Sequence, residues 1–99
     1  MKINRTQNGA ELTMALEGLL DTTTAPELDA ALSGIDGVAN LVIDMEKLDY
    51  ISSSGLRVLL AARKKLEKVG CTMTIVKANE NVREIFEMTG FNEILTIEK

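Results

Sequence analysis

The chain has 99 residues, 45% hydrophobic and 26% charged, with one Pro and seven Gly. That composition reads as one globular domain spanning 1–99, neither disordered nor fibrous. The formal net charge is −4, which argues against nucleic acid as a partner, because such binding rests on neutralising phosphates. Histidine is absent and cysteine occurs once, at Cys71, so Ser-His-Asp and Cys-His catalysis are excluded, zinc is disfavoured, and no internal disulfide can form.

Lys2 to Gln7 alternate weakly, and Asn8-Gly9 is a two-residue turn signal. From Ala10 to Glu17, Leu12, Met14 and Leu16 fall on one face, which is strand periodicity. A β-hairpin is expected, followed by a loop from Gly18 to Thr24. Thr24 and Glu27 have capping-box spacing, and Pro26 suits a first helical turn. Leu28, Ala31, Leu32 and Ile35 then share one helical face, and Gly34 and Gly37 stop it. Leu41 to Met45 is a short apolar run that predicts a buried strand, with a loop from Asp44 to Ser54.

A second helix starts at Ser52-Ser53-Ser54-Gly55, with Gly55, Leu59, Ala62, Leu66 and Val69 as its inner stripe. Gly70 ends it, and Arg63, Lys64, Lys65 and Lys68 crowd its last turns, where cations suit the dipole. Thr72 to Val76 is rich in β-branched residues and predicts a strand. Asn79 or Asn81 caps a third helix through Val82, Ile85, Phe86 and Thr89, with Gly90 as its stop. Ile94 to Ile97 is a final strand.

The order β-β-α-β-α-β-α-β predicts an α/β fold: a mixed, mostly parallel sheet with an N-terminal antiparallel hairpin, packed by amphipathic helices. Sites in such sheets form beyond the carboxyl ends of the parallel strands. The loops 18–24, 44–54 and 77–81 are therefore expected to meet, bringing Asp21, Asp44, Asp49 and the serines to one corner. No apolar run approaches the ~20 residues of a membrane span. The N-terminal MKINRTQNGA lacks the apolar core of a signal peptide, so a cytoplasmic location is expected.

The serines admit more than one reading. Ser is a preferred N-cap residue, yet a cap needs one hydroxyl and three stand in a row. A helix N-terminus is also where a phosphate would be stabilised, and Arg57, expected in the first turn where a cation opposes the dipole, would pair with it. A serine nucleophile finds no histidine base. Ser-Ser-Ser-Gly also lacks the glycine-rich cradle of a phosphate-binding loop, so neither catalysis nor a cofactor is expected. Asp21, Asp44 and Asp49 have the chemistry of cation ligands, but loop aspartates more commonly cap and turn. Cys71 reads as a small core residue.

The stretch LVIDMEKLDYISSSGLRVLLAARKKLEKVG resembles the signature of the STAS domain, especially of bacterial anti-sigma factor antagonists. Gly18-Leu19-Leu20-Asp21 and Ile85-Phe86-Glu87-Met88-Thr89-Gly90-Phe91 extend the resemblance over nearly the whole chain. In that family an Asp-Ser-Ser/Thr-Gly motif carries a phosphorylation site on its second hydroxyl residue, which maps to Ser54. Ser53 maps to the first hydroxyl residue, and Ser52 stands where the motif has Asp. The resemblance implies a partner surface of Asp21, Thr22, Asp44, Asp49, Ser52, Ser53, Gly55 and Arg57. It implies two partners: an anti-sigma factor that is also a serine kinase, and a serine phosphatase. A STAS-type adaptor subunit of a lipid-transport or sensor complex is the alternative.

Overall fold

The alternating residues of the N-terminal third form the expected hairpin. In the computed structural model, which describes residues 1–35 and 37–98, β1 (Lys2–Asn8) pairs antiparallel with β2 (Glu11–Leu20). The turn sits one residue later than expected, at Gly9-Ala10. Asn8 still pairs with Glu11, and Gly9 takes the left-handed backbone at φ 64°. The chain continues as α1 (Ala25–Ser33), β3 (Asn40–Ile51), α2 (Ser53–Lys68), β4 (Thr72–Val76), α3 (Glu80–Thr89), a 3-10 turn (Phe91–Glu93) and β5 (Thr96–Ile97).

The five strands form one sheet in chain order, parallel from β2 through β5. Each crossover steps to the next strand in the same direction, so crossovers of one hand lay the helices over one face. Burial agrees. Leu12, Met14, Leu16 and Leu20 of β2 and Leu41, Ile43 and Met45 of β3 join Leu28, Leu59, Ile75 and Phe86 in one apolar core. The intervening Thr13, Ala15, Val42 and Asp44 are half-buried on the opposite face.

β2 and β3 are both longer than the sequence suggests. Gly18, Leu19 and Leu20 belong to β2 rather than to a loop, and β3 runs on from Met45 through Ile51. The reason lies in two bulges on β3. One falls opposite Ala15–Glu17 and the other opposite Gly18–Leu19. Each bulge adds one residue, so Met45, Leu48 and Ile51 point into the core at steps of three instead of two. That spacing breaks strand periodicity, which is why a loop was expected there.

The extension moves the loops. β4 ends at Val76, level with Asp44, while β2 and β3 continue to Leu20 and Ile51. The segment after Val76 therefore reaches only the middle of β3, where the Asn79 side-chain amide donates to the Leu48 carbonyl. Two of the three loops expected to meet do so. Asp44 is a mid-strand residue, roughly 20 Å from the strand's end at about 3.3 Å per residue.

Two helix details also differ. Thr24 caps α1 by position but makes no side-chain cap bond, so the Thr24–Glu27 capping box does not form. Val69, expected on the inner stripe of α2, is 76% exposed just past the last helical turn. Gly55, Leu56, Leu59, Ala62 and Leu66 make the buried stripe. Asn79 rather than Asn81 caps α3, accepting from the Val82 amide at 3.0 Å.

Candidate functional site

The β2–α1 turn and the start of α2 meet at the carboxyl ends of β2 and β3. The Ser52 amide donates to the Leu20 carbonyl at 2.8 Å, which ends the β2–β3 ladder and starts α2 in one bond. Ser52 has extended backbone at φ −94°, ψ 174°, and its hydroxyl accepts from the Gly55 amide at 3.3 Å. Of the three serines, Ser52 is thus the N-cap. The position where the resembled motif carries Asp is filled by another preferred capping residue, so the helix start is preserved.

That assignment leaves Ser53 and Ser54 free of capping duty. Ser53 is exposed as the first helical residue, and Ser54 is half-buried as the second. The Ser54 hydroxyl lies 3.2 Å from the Thr22 hydroxyl, and either can donate. The Ser54 hydroxyl stands in the first turn of α2, at the positive end of its dipole.

Gly55 is placed by packing. A Cβ there would sit 2.6 Å from Leu20 Cγ and 3.0 Å from Ile51 Cγ1. Only a residue without a side chain lets α2 come this close to the sheet's end, and Gly55 is buried rather than presented to solvent. Leu56 is buried beside it, so the motif's glycine and leucine anchor the helix while its hydroxyls face outward.

Asp21 organises the opposite wall. Its Oδ1 accepts from the Thr23 amide at 2.9 Å, the Thr24 amide at 3.1 Å and the Thr23 hydroxyl at 2.7 Å. Its carbonyl accepts from the Ala25 amide at 2.8 Å. The Asp21 carboxylate therefore ties the turn that precedes α1, while the Glu27 amide of the helix is met by the Thr24 carbonyl at 2.9 Å. The Thr24 hydroxyl instead accepts from the Asp21 amide at 2.8 Å and donates to the Leu19 carbonyl at 2.8 Å. The Thr23 hydroxyl and the two amides hold the Asp21 carboxyl below its ordinary pKa by favouring its charged form.

The remaining expected residues separate into near and far. Asp49 is exposed at the second bulge of β3, just before the corner. Arg57 is exposed and is the fifth residue of α2, so it lies just beyond the first turn and opposes the dipole less than a first-turn cation would. Among the described residues it makes no ion pair. Asp44 is far away on the sheet, where its carboxylate accepts from the Glu46 amide at 2.9 Å and lies 4.0 Å from Lys77 Nζ. Asp44 thus does not share a corner with Asp21 and the serines. The described residues hold no cluster of three or more metal-ligating side chains. None of their helices is long and apolar enough to cross a membrane.

Sequence reading missed Leu19 and Tyr50. They are register partners on β2 and β3, and they are 48% and 47% exposed. Two large apolar side chains side by side in solvent near the ends of β2 and β3, alternating with the buried Leu20 and Ile51 on which α2 packs, suit contact with another protein. Leu19 looked like a loop residue and Tyr50 like a loop aromatic, so no pattern marked them as neighbours.

A mixed sheet with helices on one face thus ends in a corner of hydroxyls at the carboxyl ends of β2 and β3. The STAS domain family model matches residues 2–99, and the chain belongs to that family. It is 35% identical over 99 residues to BtrV of Bordetella bronchiseptica, named provisionally as an anti-sigma factor antagonist, covering 98% of this chain and 85% of that one. An anti-sigma factor antagonist from Mycobacterium paratuberculosis superposes with a TM-score of 0.87 at 24% identity, over 97% of this chain and 83% of its own. SpoIIAA in its unphosphorylated form superposes at 0.84 and 20% identity, over 99% and 89% of the two chains.

Proposed function

We propose that this protein is an anti-sigma factor antagonist, a regulatory binding protein and not an enzyme, switched by phosphorylation of Ser54. One observation carries the reading. Ser52 takes the capping role, which leaves Ser54 as a half-buried hydroxyl at a helix N-terminus, facing the Thr22 hydroxyl across the corner. The likeness to BtrV supports the same reading.

In this reading the unmodified form docks an anti-sigma factor that is also a serine kinase, and a sigma factor is released in the cytoplasm. Leu19 and Tyr50 supply apolar contact, and Thr22, Ser53, Ser54, Asp21, Asp49 and Arg57 supply the polar surround. Ser52 and Gly55 build the corner, and Asp44 stands outside it. The kinase then phosphorylates Ser54. About −1.5 to −2 charges arrive where the interface accommodated a neutral hydroxyl. Repulsion from Asp21 and Asp49 and the cost of desolvating a phosphate both oppose rebinding. A serine phosphatase restores the binding form.

Purified protein incubated with ATP and bacterial anti-sigma serine kinases, read by peptide mass spectrometry, is expected to gain one phosphate, at Ser54. Gel filtration should show the kinase complex separating as the phosphate appears. No phosphate at Ser54 with every such kinase, each active on its own substrate, overturns the reading.

A further inference from the structure

We propose that Thr22 is the positioning residue for the Ser54 hydroxyl, holding that oxygen in one rotamer for phosphoryl transfer. This rests on Ser54 being the phosphoacceptor. The 3.2 Å contact is the one side-chain hydrogen bond that either hydroxyl makes among the described residues. It joins the β2–α1 turn to the start of α2.

Both ends of the contact are mounted on fixed backbone. Thr22 is bracketed by Asp21, whose carboxylate ties down the Thr23 and Thr24 amides, and by the Thr24 hydroxyl bond to the Leu19 carbonyl. Ser54 stands in a helix whose first turn is capped by Ser52 and tied to Leu20. Thr22 itself is exposed, so its hydroxyl is not needed to fill the core.

The transfer has a plain geometric demand. Ser54 Oγ forms a bond to the γ-phosphorus of the ATP held by the kinase. The bond from that phosphorus to the β–γ bridging oxygen breaks, and ADP leaves with the electron pair. The Ser54 hydroxyl proton passes to a base of the kinase. If Thr22 donates to Oγ, the Ser54 proton is left free for that base and a second lone pair for attack. A serine without a partner samples three staggered χ1 wells, so locking one raises the productive population by up to about threefold.

Thr22→Val removes the hydroxyl and keeps the shape, and Thr22→Ser keeps the hydroxyl. Three-bond couplings to the Ser54 β protons, measured by NMR on the isolated protein, are expected to report one rotamer in the wild type and in Thr22→Ser, and an average in Thr22→Val. With the kinase that phosphorylates the wild type, kcat for Thr22→Val is expected to fall about threefold, with Thr22→Ser restoring the rate. Unchanged couplings in Thr22→Val, or an unchanged kcat, overturns the proposal. If the wild type gains no phosphate at Ser54, the reading of the site itself fails, and the positioning role fails with it even where the rotamer is locked.

Discussion

Substituting Gly55 sets two effects against each other. Alanine favours a helix over glycine by about 1 kcal/mol. Its methyl would stand 2.6 Å from Leu20 Cγ, a branch carbon of a side chain with no exposure and no room to withdraw. Overpacking of this kind costs about 1–3 kcal/mol, so the clash outweighs the propensity. Gly55→Ala is expected to lower the urea midpoint, with a net loss of about 1 kcal/mol, and an unchanged or raised midpoint would refute the close approach. Asp21 gives a pH dependence of definite sign. Its folded carboxyl titrates below the ordinary 3.8 because the Thr23 hydroxyl and the Thr24 and Thr23 amides bind the charged form. Its contribution is full above that ordinary value and is lost as pH falls through the folded one. Amide resonances of Thr23 and Thr24 should therefore hold steady down to about pH 4 and shift only below it, and Asp21→Ala should abolish that transition.

The elements teach a different lesson, because here local patterns met tertiary constraints. Helix faces, the hairpin and β4 follow from periodicity. Asn79 and Asn81 were equivalent candidates in the sequence, and packing chose between them. Asn79 Oδ1 accepts from the Val82 amide while its amide group donates to the Leu48 carbonyl, so one side chain fastens α3 to the bulged half of β3. Losing a cap costs about 0.5–2 kcal/mol, and leaving a carbonyl unpaired adds about 1 kcal/mol. Asn79→Ala is expected to destabilise by about 1.5–3 kcal/mol in urea unfolding and to speed hydrogen exchange in α3. Asn81→Ala, exposed and capping nothing, should fall within about 0.5 kcal/mol of the wild type. Equal effects of the two substitutions would sink this account.

At the scale of the whole molecule, a phosphate on Ser54 acts on a charge pattern rather than on the fold. The chain carries −4, yet its α2 surface carries Arg57, Arg63, Lys64, Lys65 and Lys68 against Glu67. A phosphate would gain about 0.3–1 kcal/mol from the helix dipole, and repulsion from nearby exposed aspartates would be of comparable size. The two nearly cancel, so phosphoserine incorporated at position 54 should leave the far-UV circular dichroism unchanged and Tm within about 5 °C. Loss of helical signal or a fall beyond about 10 °C would mean that the modification acts by unfolding instead of by surface charge.

The sequence by itself determined the α/β order, the aliphatic core faces, the helix start at the serines and the absence of histidine chemistry. Each of these is local, written in the spacing of neighbours or in composition. Tertiary structure alone decided which serine caps α2, that Asp21 rather than Thr24 ties the α1 turn, and that Thr22 meets Ser54. It also decided that Asp44 lies away from the corner while Leu19 and Tyr50 stand beside it. The physical reason is the pair of bulges in β3. Leu48 and Ile51 were the legible trace of that strand, being apolar residues in a supposed loop. Their three-residue steps acquire a meaning only when β2 lies alongside to set the register.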